Sequence, residues 1–260
     1  MNKQTTLFSF KLSPTELHWL AGAFSITSLP LPEHPFHSIK AVQQKPQLLQ
    51  GLNSLRERGL VRGSAATSWQ VDRLPAAIVN WFGSAARMLI LNVHARDGGV
   101  RRAHVCTEND VSVYVTVEGD TYHFLFFPNC GALTEYLLDQ FGASFSDPRT
   151  AAAQYAFPQP VTILRSAWTD ASLAAKMLKV SRLKPKEIKS LLAWAGSLEW
   201  IVTLDHIQLD GEEAGRDSQT ILCGNRQRCW SGRAGGDSDE AVTLSPINLV
   251  ETQALIQNLL

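Results

Sequence analysis

Between Pro75 and Gly142 the spacing of apolar positions changes several times, and each change marks an element. PAAIVNWFGSAAR keeps a helical period and runs into MLILNVHA, after which RRAHVCT, VSVYVTV and TYHFLFF follow as strand-length runs. Turn residues separate them at Asp97-Gly98-Gly99 and Glu118-Gly119-Asp120, and GALTEYLLDQFG returns to the helical period. From Pro185 the same order recurs as KEIKSLLAWAGSLE, WIVTLDHI, a turn at Asp210-Gly211, SQTILCG and RQRCWSG. A turn at Gly235-Gly236-Asp237, then EAVTL and the helix INLVETQALIQNLL, complete it. Pairing the copies sets Trp81 near Trp194, Asp97-Gly98 against Asp210-Gly211 and Cys106 against Cys223. Element order, length and turn chemistry carry this repeat; identity does not.

The fold expected from this pattern is α+β, a central antiparallel β-sheet of two pseudo-twofold-related halves flanked by helical bundles. Residues 1–145 make the N-terminal half and 161–260 the C-terminal half. Residues 146–160, within the small, polar and proline-bearing SFSDPRTAAAQYAFPQP, are a linker. Together the halves form one compact fold.

Ahead of the repeat, LSPTELHWLAGAF predicts a helix with Ser13 as its cap, Pro14 at its first position and Glu16 completing a capping box. Pro30, Pro32 and Pro35 make the following stretch an irregular connector. In PQLLQGLNSLRERGLVRG, Leu48, Leu52 and Leu55 fall at helical spacing, and Gly59 sits where a left-handed cap ends a helix. This segment is open to a second reading, as a winged-helix recognition helix. Lys45, Arg56, Arg58 and Arg62 would then meet phosphates while Gln47, Gln50 and Asn53 face bases. SAATSWQVD supplies no basic wing, and changing Arg56 and Arg58 to Glu would separate the readings.

Strict alternation in VSVYVTV directs Val111, Val113, Val115 and Val117 inward and Ser112, Tyr114 and Thr116 outward. TYHFLFF is apolar on both faces, so it is either central and covered or an apolar surface awaiting a partner. SAWTDASLAAKMLKVSRLKPK reads as one helix with Trp168, Leu173, Met177 and Leu178 inward and a solvated basic tail.

Composition narrows the function classes. With 45% apolar residues in 260, the chain can bury a full core. The 24 basic and 24 acidic residues balance, so charge announces neither nucleic acid nor an anionic membrane, and no nucleic-acid partner is expected. No signal peptide or spanning run is apparent, which predicts a cytoplasmic protein without membrane insertion. The four cysteines show neither a CxxC nor a histidine at ligand spacing. Asp205, Asp210, Glu212, Glu213 and Asp217 read as one solvated acidic turn, and Asp237, Asp239 and Glu240 as another. No GxSxG, HExxH, P-loop or GxGxxG is present, and the histidines are scattered. His94 and His206, one residue out of register between the copies, read as structural duplicates. Catalytic, cofactor and metal residues are therefore expected to be absent, although an enzyme with a scattered site stays open.

What the sequence does offer is a set of outward strand positions suited to a protein interface. RQRCWSGR, read as a strand, puts Arg226, Arg228 and Trp230 on one face. Tyr114 and His123 join them as candidate partner-binding residues, with the apolar stripe of the final helix beside them.

The phrases LSPTELHWLAGAF and LNSLRERGLV, in the order helix, proline connector, helix, helix, four strands and helix, resemble the EspG family of type VII (ESX) secretion-associated chaperones. The resemblance covers the whole chain in architecture and about two dozen residues in sequence. It implies a quasi-twofold antiparallel sheet and a non-enzymatic cytosolic chaperone that keeps the apolar tip of a helical PE-PPE or WXG-like substrate soluble before export. The family's substrate-contacting loop between its second and third strands is often long. Here it is Glu108-Asn109-Asp110.

Overall fold

A computed structural model describes residues 8–26, 29–32, 41–64, 68–108, 110–141, 155–157, 159–180, 183–210, 213–235 and 241–260. In chain order the elements are β1 (Phe8–Leu12), α1 (Pro14–Ala23), α2 (Ala41–Glu57), β2 (Val61–Ser64), β3 (Ser68–Val71) and α3 (Arg73–Ser84). Next come β4 (Arg87–Ala95), β5 (Val100–Glu108), β6 (Val111–Glu118), β7 (Thr121–Phe127) and α4 (Cys130–Gln140). The remainder is β8 (Tyr155–Phe157), α5 (Pro160–Thr169), α6 (Ala171–Val180), α7 (Pro185–Ala195), β9 (Trp200–Asp210), β10 (Glu213–Gly224), β11 (Cys229–Gly235), β12 (Val242–Ile247) and α8 (Leu249–Leu259). The fold is α+β, and strands β1 to β12 pair antiparallel among the described residues. The order α, four strands, α occurs twice, from α3 to α4 and from α7 to α8.

Two compact units emerge, Met1–Ala86 with Ala103–Pro128, and Arg87–Arg102 with Asn129–Leu260. Most of the expected linker, like Pro35, Asn109, Arg182 and the turn residues Gly211, Glu212, Gly236, Asp237, Asp239 and Glu240, lies outside the described residues.

In the first unit the strands run β1-β7-β6-β5. Alternation in β1, a strand additional to the four expected, explains its place at the edge. Phe8 stacks on Phe126 at 4.1 Å between ring centroids, while Lys11, on the other face, reaches Glu118 at 3.4 Å. β7 lies between β1 and β6, and TYHFLFF is covered on one face, where Tyr122, Phe124 and Phe126 are at most 2% exposed, while on the other Phe127 is buried and His123 and Leu125 are half-buried. Phe82 and Trp81 of α3 meet Phe124 and Phe126 at 5.9 and 6.1 Å. Ser112 departs from the alternation. It is buried, not outward, because its hydroxyl lies 3.1 Å from that of Thr107 on β5.

One carboxylate ties the helices of this unit together. Glu16, 2% exposed, accepts from the Ser13 backbone N–H at 2.8 Å and so completes the capping box of α1. The same group accepts from Ser54 Oγ on α2 at 2.8 Å and, with both oxygens, from Arg58 Nη1 at 2.8 Å. Arg58 also donates to the Lys11 carbonyl and sits 5.3 Å from the Phe10 ring. The helices approach so closely that a Cβ on Gly51 would fall on the Thr15 carbonyl. Gly59, at φ +72°, ends the helix as expected, with Leu60 N–H returning to the Leu55 carbonyl at 2.8 Å.

In the second unit the order is β4-β9-β10-β11-β12-β8. β4 pairs with β9 from Arg87↔Gln208 to Ala95↔Trp200 without a break. The offset that superposes Asp97 on Asp210 carries Leu91 onto Leu204, and these two leucines are direct partners. One sheet face buries Ile201, Ile221, Cys223, Trp230 and Leu244 against Ile163, Leu164, Leu178, Ile188 and Leu191 of α5–α7. On the opposite face Phe141 stacks on Trp200 at 5.8 Å, and α4 and α8, each begun by an asparagine cap, lie together.

The single helix expected over SAWTDASLAAKMLKV is two. Asp170 accepts from the backbone N–H groups of Ser172 and Leu173 at 3.0 Å, ending α5 and capping α6. The break resets the helical phase, so Ala174 and Leu178 are buried and Leu173, expected inward, is 47% exposed.

Replacing Arg58 by leucine strips a buried carboxylate of its cation and is expected to cost about 3 kcal/mol of unfolding free energy. Arg56→Leu, which loses one carbonyl contact and a guanidinium stacked 4.9 Å from the Trp69 ring, should cost about 1 kcal/mol or less. Urea titration of the two variants measures the difference.

Candidate functional site

Tyr114 and His123 lie on adjacent strands of the first unit and point to one face, since the register pairs Tyr114 with Leu125 and Thr116 with His123. Both are half-buried. His123 Nδ1 donates to Glu118 at 3.3 Å. That hydrogen bond, with Lys11 beside it, holds the Glu118 carboxyl below its ordinary range. The cluster of Lys11, Glu118 and His123 gives this face a polar, charge-balanced margin beside the aromatic ring of Tyr114.

Arg226 and Arg228 are not on a strand. Asn225 accepts from the backbone N–H groups of Gln227 and Arg228 at 2.9 and 3.1 Å, forming an Asx-type turn between β10 and β11. Both arginines are exposed at this tip, Arg226 3.7 Å from Glu199. Trp230 is a correction to the sequence reading. It is 4% exposed, meets Trp194 edge-on at 5.1 Å and belongs to the core under α5–α7. Alternation counted through RQRCWSGR fails because a turn occupies its first half and the strand begins only at Cys229. Trp230 therefore offers no exposed anchor, and its face is the opposite of the outward one expected.

A polar stripe that the sequence reading missed crosses the first strands of the second unit. Asn92 Nδ2 donates to Thr203 Oγ1 at 3.2 Å and to Asp205 at 3.3 Å, Arg102 Nε donates to Asn92 Oδ1 at 2.9 Å, and Gln219 Nε2 donates to Asp205 at 2.6 Å. Asp205, expected in a solvated acidic turn, is 8% exposed within β9, a strand that continues to Asp210. Its spacing of two from Thr203 was the available signal. His94 and His206 are a further correction. His94 faces Ile201 and His206 faces Leu89, so a one-residue offset puts them on opposite faces of the sheet. Burial, then the Arg165 charge, lowers the pKa of His94.

Nucleophilic cysteine chemistry is poorly supported by three of the thiols. Burial pushes Cys106 and Cys229 up to about 12 and Cys223 upward, so these groups stay protonated. Among the described residues no group of His, Cys, Asp and Glu is arranged to hold a metal ion, and no helix is long and apolar enough to cross a membrane.

No protein-family model and no curated protein matches the sequence. Among solved structures, the chain is similar to one from Mycobacterium tuberculosis, the type VII secretion system chaperone EspG5 in complex with a PE25-PPE41 dimer. The likeness has a TM-score of 0.60 at 11% identity and covers 97% of this chain and 95% of that one. The fold is EspG-like. Within this EspG-like fold, Arg56 and Arg58 are occupied by Trp69, Gly63, Glu16 and Lys11, so two of the four cations of the winged-helix reading serve the first unit internally. Reversing their charge would unfold the α1–α2 contact, and the variant conceived to separate the readings would report stability.

Trp230→Ala should lose about 3–5 kcal/mol of stability, the cost of an aromatic removed from a packed core. Arg226→Ala and Arg228→Ala should stay within about 0.5 kcal/mol of the parent. Thermal unfolding of the three variants checks the placement.

Proposed function

We propose that the chain is a non-enzymatic chaperone of the cytosol that binds a helical export substrate of PE-PPE or WXG-like type and keeps its apolar tip in solution. The observation that carries this reading is the near-complete coverage of a chaperone chain solved in complex with a PE25-PPE41 dimer. Shielding an apolar helix tip requires a rigid surface with aromatic and polar contacts and no cofactor, which is the kind of surface the β6–β7 face supplies at Tyr114 and His123. The connection between β5 and β6 is short, since Glu108 and Val111 are already paired. Partner contact in this chain is accordingly assigned to the strand face carrying Tyr114 and His123 and to the Arg226–Arg228 tip, each able to engage a partner on its own.

Affinity capture of the tagged chain from its own cells, washed at about 0.5 M salt to remove loose phosphate contacts, tests the reading. A small helical protein recovered at near-equal stoichiometry, and reduced by Tyr114→Glu, is expected. Nucleic acid held at low salt with nothing at high salt would overturn it.

A further inference from the structure

The turn between β4 and β5 and one face of α5 border an open cavity of about 220 Å³ in the second unit. Thr162, Arg165, Ser166 and Thr169 recur at helical spacing on α5 and all line it, while Ile163 and Leu164 are turned into the core. From the turn side come His94 and Arg96. Among the described residues the lining thus has two guanidinium groups, an imidazole and three hydroxyls, and no carboxylate.

The acidic residues next in sequence are held by backbone groups: Asp97 accepts from the N–H of Gly99, a residue of the lining, at 2.9 Å, and Asp170 caps α6. Arg96 and Arg165 are exposed at the rim, and neither guanidinium is ion-paired among the described residues. His94, at its base, is 8% exposed, and its Nδ1 has no hydrogen-bond partner among the described residues. Two like charges facing one cavity repel each other, and a bound anion relieves that repulsion. A carboxylate has two oxygens to share, whereas a phosphate group accepts from more directions and can use both guanidinium forks together with the hydroxyls. The volume, roughly that of seven waters at about 30 Å³ each, exceeds a bare phosphate ion and leaves room for a small attached group.

We infer that this cavity binds the phosphate group of a small phosphorylated molecule, with Arg96 and Arg165 as its cationic ligands. The site is independent of the proposed partner surface and is described within one unit of the chain.

The test is a titration of the intact protein with inorganic phosphate, glycerol 3-phosphate and acetate at fixed ionic strength. The histidine ring resonances are followed by NMR, with His94 assigned through His94→Gln. Saturable shifts of the His94 signals by phosphate and more tightly by the monoester are expected, with acetate at least about tenfold weaker, the difference made by one or more charge-assisted hydrogen bonds. Arg165→Gln and Arg96→Gln, both at exposed positions, should each weaken the monoester about tenfold while the melting temperature holds. Shifts no larger than chloride produces, an equal response to acetate, or full binding by Arg165→Gln would each overturn the assignment.

Discussion

The antiparallel pairing of β4 with β9 is the constraint on which the second unit depends. Nine residues of β4 are matched in register without a bulge. A slip of one residue would turn Leu89, Leu91 and Val93 from their buried face to the other one. The polar stripe acts against such a slip, because Asn92 meets Thr203 and Asp205 only in the observed register. Buried hydrogen-bonding groups lose more when unpaired than they gain when paired, so the stripe specifies the register more than it stabilises it. Apolar side chains on either side then supply the burial.

Several buried polar groups of this frame are structural. The thiols of Cys106, Cys223 and Cys229 are held protonated by burial, and the buried carboxylates of Glu16 and Asp205 are each committed to hydrogen bonds that join elements. Groups engaged in holding elements together are poor acids, bases or nucleophiles, because using them would loosen the structure. What faces outward is varied: a tyrosine–histidine strand surface, an arginine-bearing turn and a basic cavity on α5.

Much of the architecture was legible in the chain. The capping box at Ser13–Glu16, the glycine that ends α2 and the turn glycines Gly98 and Gly119, at φ +88° and +60°, follow from local chemistry that tertiary context leaves intact. Errors arose where a period was carried through a punctuating residue. Asn225 made a turn out of what alternation read as strand, and so Trp230 moved from candidate anchor to core. Asp170 divided one helix into two and exposed Leu173. The role of Arg58 was unreadable for a different reason. Its partner Glu16 lies 42 positions away, and only the packing of α1 on α2 brings the two together.

The measurement that bears most directly on the chaperone reading is light scattering from a purified PE-PPE-type helical dimer of the same organism, incubated with and without this chain. One equivalent of the chain, with no nucleotide present, should keep the dimer in solution as a complex of defined mass. Aggregation at the same rate in the presence of one or several equivalents would contradict the account.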